Sequence, residues 1–433
     1  MRCIPVPTAG VAIALALLAT ACDEGTPVSP DESFIVSNTS ASLSAVEQLG
    51  EAIFDDENLS INRNQSCASC HDEDWGTTGP SSTVNAGGAV YEGSIPGRFG
   101  DRKPPSAAYA TLSPVLSLDK SGLWIGGNFW DGRATGEKLG NPAADQAQGP
   151  FLNPVEQALP DNACVVYRVA NATYGGLYVQ VWGNNITTIN FPANTDLLCA
   201  SEGNTVPLSA ADRANVDEEY GNIALSIAAY EDGTDVNQFS SKFDAWKNGT
   251  AKLTMEEKRG QALFNGRAQC ARCHPNKGKE ALFTDFTYDN LGVPKNPENP
   301  ATMTNPTFVD EGLGGFLKRA GYDASVYMPE LGKHKVPTLR NVDRRPSPSD
   351  VKAYGHNGYF KRLKTIVHFY NTRDVKPACP NPLTTEADAL AQGCWPAPEE
   401  PQNVNTGELG DLGLTSEQED AIVAYLMTLS DGF

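Results

Sequence analysis

Two runs constrain this chain more than any other feature. Cys67-Ala68-Ser69-Cys70-His71 and Cys270-Ala271-Arg272-Cys273-His274 repeat one spacing, two cysteines three positions apart with a histidine directly after. With 10 Cys and 5 His in 433 residues, random placement gives roughly 0.003 such motifs per chain, so two copies are not chance. Cys-x-x-Cys serves a thioredoxin-like redox pair, half of a zinc site, or covalent attachment of a c-type haem. A redox pair has no use for the histidine. A four-cysteine zinc site separates its halves by about 15–20 residues, whereas about 200 residues intervene here. Haem attachment uses every member: Cys67 and Cys70 form thioethers to the two vinyl groups while His71 turns its imidazole to the iron, and Cys270, Cys273 and His274 do the same.

Residues 1–22, MRCIPVPTAGVAIALALLATAC, place one early arginine, an apolar run too short to cross a bilayer and small residues before a cysteine, the form of a secretory signal. The ATAC ending reads as a lipoprotein cleavage site with Cys22 as the lipidated residue, although Ala19 stands where a leucine is usual. Ordinary cleavage nearby is the alternative. Residues 23–42 are polar and rich in Pro and Ser, a flexible tether. Export agrees with both haem attachment and disulfides, so the expected location is the periplasm or cell envelope, with the chain tethered to a membrane through Cys22. Cys164, Cys199, Cys379 and Cys394 remain. Of their three pairings, Cys164 with Cys199 and Cys379 with Cys394 closes the shortest loops.

The remaining chain, about 410 residues, is long enough for two compact domains, expected at 43–245 and 246–433. A net charge of −20 argues against nucleic acid and suits an acidic soluble surface or a basic protein partner met by steering. Ser44 and Glu47 make a capping box before Val46, Leu49 and Ile53, giving a helix that ends near Asp55. Thr254 and Glu257 repeat the plan, with Leu263 and Phe264 on the buried stripe. GEAIF at Gly50–Phe54 and GQALF at Gly260–Phe264 form an internal repeat in which a glycine admits a neighbouring helix beside an aromatic plug. Ile422, Tyr425, Leu426 and Leu429 place a closing helix over Thr415–Leu429. The fold class is therefore mainly α, two cytochrome c-like haem domains in tandem, loop-rich with 40 Gly and 30 Pro and little β. One strand pair is expected within Cys164–Gly183, turning at Asn171–Gly176.

NFWDGRA at Asn128–Ala134, DQAQGPFLNPVEQ at Asp145–Gln157, KVPTLRNV at Lys335–Val342 and YGHNGYF at Tyr354–Phe360, in this order around the two Cys-x-x-Cys-His motifs, resemble the bacterial di-haem cytochrome c peroxidase and MauG family over nearly the whole mature chain. The resemblance implies a peroxidatic N-terminal haem, a C-terminal haem that passes electrons to it, and a tryptophan between them, here Trp130. It implies a distal pair, here Gln146 and Glu156. Splitting a peroxide O–O bond needs a group that takes a proton from one oxygen and returns it to the other, which a buried carboxylate such as Glu156 can do, whereas Gln146 only orients.

Two departures bear on subtype. Where many such peroxidases carry a histidine that caps the first iron, this chain has residues near Ile95, and no histidine lies between His71 and His274. The first iron is therefore expected to be five-coordinate. On the second haem, counting from His356 puts Tyr370 where the peroxidases have methionine and MauG-type enzymes have tyrosine, with His368 and Met328 as rival ligands. His356 itself is expected near the haem edge as a hydrogen-bonding or proton-transfer group rather than on iron. The positions for the family's inter-haem calcium read Lys103 and Val351–Ala353, which puts that ion in doubt and makes a lysine ammonium a candidate for its place.

Three functions follow: a peroxidase drawing on a small electron-donor protein such as a cytochrome c or cupredoxin to reduce hydrogen peroxide; a MauG-like enzyme that oxidises side chains of a protein substrate; or a non-enzymatic electron-transfer cytochrome.

Overall fold

The computed structural model describes residues 43–433, which form one compact unit. The signal, the tether and Cys22 lie outside the described residues. Helices dominate. The strands among the described residues are two short antiparallel pairs, Ser117–Leu118 with Trp124–Ile125 and Tyr288–Asp289 with His334–Lys335. No helix among them is long and apolar enough to cross a membrane.

Both expected capping boxes form. Ser44 and Glu47 exchange hydrogen bonds at the start of the helix Ala45–Phe54, and Thr254 and Glu257 do so before Met255–Asn265, each satisfying orphan N–H groups of a first turn. The repeated glycines sit at two helix crossings. A methyl on Gly50 would lie 2.8 Å from the carbonyl carbon of Ser226 and from Tyr230 Cβ, and one on Gly260 would lie 2.6 Å from the Ala421 carbonyl carbon and 2.9 Å from Tyr425 Cβ. Four residues on from each glycine, Phe54 meets Tyr230 and Phe264 meets Tyr425, both pairs with ring centroids 5.3 Å apart. The closing segment is the helix Ser416–Leu426, capped by Thr415 and ending in a tight turn at Met427–Leu429. Its counterpart in the first crossing is the helix Ala210–Asp232, which the periodicity analysis missed. Buried Glu219, Gly221, Ser226 and Glu231 interrupt its apolar stripe.

The strand pair expected within Cys164–Gly183 is instead two helices, Asn162–Ala170 and Gly175–Trp182. Asp161 caps the first through the Ala163 N–H, and Cys164, Val165, Val166 and Val169 are all fully buried. Burial at helical spacing overrides the β preference of the valines. The disulfides form as expected, Cys164–Cys199 and Cys379–Cys394. The largest core cluster draws on residues from Leu49 to Val236, and the second on residues from Phe243 to Leu429. Each carries one of the two glycine crossings.

Candidate functional site

Two open cavities, of about 1740 and 1850 Å³ when the solvent in their mouths is included, are lined by the two motifs. Cys67, Cys70 and His71 line the first; Cys270, Cys273 and His274 line the second. The four motif cysteines therefore do not converge on one ion. Burial pushes the thiols of Cys70, Cys270 and Cys273 up to about 12 and that of Cys67 higher still, the reverse of the low pKa a dithiol redox pair needs.

Both histidines are prepared as iron ligands. The two motifs turn tightly, with the His71 N–H donating to the Cys67 carbonyl at 3.0 Å and the His274 N–H to the Cys270 carbonyl at 2.9 Å. His71 Nδ1 lies 3.1 Å from the Thr77 carbonyl and His274 Nδ1 2.7 Å from the Phe283 carbonyl. A carbonyl only accepts, so Nδ1 carries the hydrogen and Nε2 is left as the metal-binding lone pair. Burial lowers both pKa values and keeps the rings neutral. The two supporting residues, Thr77 and Phe283, each adopt φ of 53°, a costly conformation for a side chain that is branched or bulky. The residues present fit a haem in each cavity, which His71 and His274 would hold through iron.

Trp130 lines both cavities, as do Lys103, Lys335 and the segment Val336–Thr338. These residues are the wall between them. Trp130 Nε1 donates to the Lys103 carbonyl at 2.8 Å, and the Lys335 N–H donates to the Trp130 carbonyl at 2.9 Å. Lys103 Nζ donates to Thr78 Oγ1 and the Pro104 carbonyl, and Lys335 Nζ to Ser113 Oγ, Asn128 Oδ1 and the Gly127 carbonyl. With no carboxylate among these partners, burial lowers the two amines to about 8 and about 7.

Gln146 and Glu156 both line the first cavity. Gln146 belongs to the helix Pro142–Leu152, which opens with Asn141 capping the Ala143 N–H, and Glu156 follows in the loop after it. Burial raises the Glu156 pKa, and the charge of Arg133 partly opposes this. Arg133, itself lining the cavity, stacks over the Phe129 ring at 3.7 Å. Glu231, on the inner face of Ala210–Asp232, also lines this cavity, and burial pushes its carboxyl up to about 8. Sequence reasoning missed Arg133, Glu231 and Lys335; Arg133 and Lys335 stood inside the quoted stretches, and only Glu231 carried no sequence signal.

In the second cavity Tyr370, on the helix Leu363–Thr372, shares the lining with His274. Burial raises its phenol pKa. The rivals stand elsewhere. His368 Nδ1 lies 2.9 Å from Glu419 Oε1, Met328 is 49% exposed, and neither lines the cavity. His356 does line it. Where a calcium was in doubt, Lys352 Nζ donates to the carbonyls of Trp75, Asn341 and Arg344 at 2.7, 2.7 and 2.9 Å.

Two histidine-bearing cavities sharing a tryptophan wall define a two-haem redox protein of cytochrome c type. The family profile described as di-haem cytochrome c peroxidase matches residues 44–252. The chain is 33% identical to the methylamine utilization protein MauG of Paracoccus denitrificans over 396 residues, 89% of each chain. It is 27% identical to the cytochrome c551 peroxidase of Nitrosomonas europaea over 68% of this chain and 65% of that one. The crystal structure of the diheme peroxidase BthA from Burkholderia thailandensis superposes with a TM-score of 0.69 at 27% identity, covering 92% of this chain and 89% of that one. The chain belongs to the di-haem cytochrome c peroxidase and MauG family, and that membership implies an oxidoreductase with two c-type haems.

Proposed function

We propose that the protein reduces hydrogen peroxide in the first cavity with electrons that enter through the second. Thioethers at Cys67, Cys70, Cys270 and Cys273 would fix the haems. A haem held by His71 would supply the electrons for O–O cleavage. Glu156 takes a proton from the near oxygen of peroxide and returns it to the departing one, work suited to a carboxyl whose pKa burial has raised toward neutrality. Gln146 orients the peroxide by hydrogen bonding, and Trp130 carries charge across the wall. The donor is a small protein such as a cytochrome c or cupredoxin, met in the periplasm or cell envelope, where Cys22 would anchor the chain. The observation that carries this reading is one cavity holding a candidate iron-ligating histidine and the Glu156–Gln146 pair, with no second histidine in its lining.

A MauG-like role, oxidising side chains of a partner protein, is the second reading. Tyr370 favours it, since a phenolate is a hard anion that favours high iron oxidation states. Mixing the holoprotein with peroxide and a reduced cytochrome c or cupredoxin separates the two. Steady oxidation of the donor supports the first reading, while a long-lived oxidised state that ignores such donors supports the second. Absence of any reaction with peroxide would leave only electron transfer.

A further inference from the structure

Apart from the Trp130 wall, charged side chains form a continuous row between the cavities. Glu399 Oε2 lies 3.3 Å from His356 Nε2. The His356 ring stacks on His334 with centroids 3.6 Å apart and planes 10° from parallel, and His334 Nε2 lies 3.3 Å from Asp310 Oδ2. Arg102 grips Asp310 through Nε and Nη2 at 2.6 and 2.7 Å and reaches Asp131 at 2.8 Å. Asp131 holds Arg133 at 2.9 Å. His334, His356, Asp310 and Glu399 line the second cavity; Arg102 and Arg133 line the first.

Hydrogen bonding fixes the tautomer at the centre of this row. His334 Nδ1 lies 3.0 Å from the Gly332 carbonyl, which can only accept, so Nδ1 carries the hydrogen of the neutral ring. Nε2 is then a bare lone pair, buried and without a hydrogen bond among the described residues, facing a carboxylate oxygen. Acceptor opposes acceptor. One proton on Nε2 converts that repulsion into a charge-assisted pair with Asp310. A second proton, on the ring stacked at 3.6 Å, is opposed by the first. Burial holds the His334 pKa down, with His356 adding to it and Asp310 opposing it, while the charge of Arg102 holds Asp310 ionised against the cost of burial.

The other charged groups around the pair are engaged elsewhere. Lys333 pairs with Glu330, Lys335 turns to Ser113 and Asn128, Asp289 accepts from Asn405, and Glu400 packs on Gly332. Asp310, His334 and His356 offer three donor atoms within 4.8 Å of one another, but Arg102 already takes both Asp310 oxygens, so a metal ion would compete with a guanidinium. A proton does not.

We propose that the stacked pair His334 and His356 is a one-proton acceptor coupled to charge in the second cavity. When one electron from an external one-electron donor protein enters that cavity, one solvent proton bonds to Nε2 of His334, and it departs when the electron moves on. The inference rests on the second cavity being the electron-entry side. Equilibrium potentiometry of the holoprotein reads it without peroxide, so its failure is distinct from a failure of peroxide turnover.

The midpoint potential of the second haem, followed optically from about pH 5.5 to 8.5, is expected to fall with a limiting slope of tenfold in equilibrium constant per pH unit, 59 mV for one electron. His334→Gln abolishes the slope. His356→Gln keeps it and moves it to higher pH, because the opposing ring is gone. A flat wild-type profile overturns the proposal without any variant. So does an unchanged slope in His334→Gln, or a slope lost only in His356→Gln.

Discussion

The glycine crossings give a prediction whose sign can be worked from distances. In Gly260→Ala the new methyl would meet the Ala421 carbonyl carbon at 2.6 Å and Tyr425 Cβ at 2.9 Å, where side-chain carbons are essentially never found under 3.0 Å. The first obstacle is backbone, so the helices Met255–Asn265 and Ser416–Leu426 must part. Overpacking of this kind costs about 1–3 kcal/mol, and an obstacle that cannot swing aside places this site near the upper end. Replacing a helical glycine with alanine recovers about 1 kcal/mol of propensity. The net loss is about 2 kcal/mol. Gly176, on the helix Gly175–Trp182, has nothing within 4 Å of the same built atom, so Gly176→Ala keeps the propensity gain of about 1 kcal/mol. At about 2 °C per kcal/mol for a large unit, thermal unfolding of the holoprotein should show the Tm fall by about 4 °C in the first variant and rise by about 2 °C in the second. Phe264, Ile422 and Leu426 of the crossing line the second cavity, so Gly260→Ala should also disturb the absorption spectrum of that haem and leave the first unaltered. Equal or higher stability for Gly260→Ala refutes the close approach.

Glu156→Gln should slow the reaction with peroxide by about 10²–10⁴-fold in stopped-flow mixing. In the wild type the rate should fall as pH drops through the Glu156 pKa, which burial places above the ordinary carboxylate value, because the base works ionised; a pH-independent rate contradicts that role. Elemental analysis of the purified protein should find no stoichiometric calcium, since Lys352 Nζ already sits among three carbonyls; one calcium per chain would refute this. Tyr370→Phe should change the resting EPR spectrum of the second haem alone, and an unchanged spectrum rules the phenol out as a ligand.

Much of this was legible in the sequence where local rules act alone. The capping boxes at Ser44 and Thr254, the glycine–aromatic repeat and the two disulfides each follow from spacing, and the structure reproduces them. The helices at Asn162–Ala170 and Gly175–Trp182 were misread because valine and tyrosine favour strands locally, and only the surrounding core makes all of Cys164, Val165, Val166 and Val169 inaccessible. The helix Ala210–Asp232 escaped because its buried face carries glutamates and serine as well as apolar residues. In the site, Cys-x-x-Cys-His declares itself, whereas Lys335, Glu231 and the stacked histidines matter through partners distant in the chain: His334 meets Asp310 and His356 only once the loops are folded.

The indole of Trp130 gives its one polar hydrogen to the peptide oxygen of Lys103, and a peptide oxygen is far too weak a base to keep a proton. An electron withdrawn from that ring would leave behind a positively charged indole with its hydrogen still in place. Recovering the electron would then restore the starting state with no atom having moved.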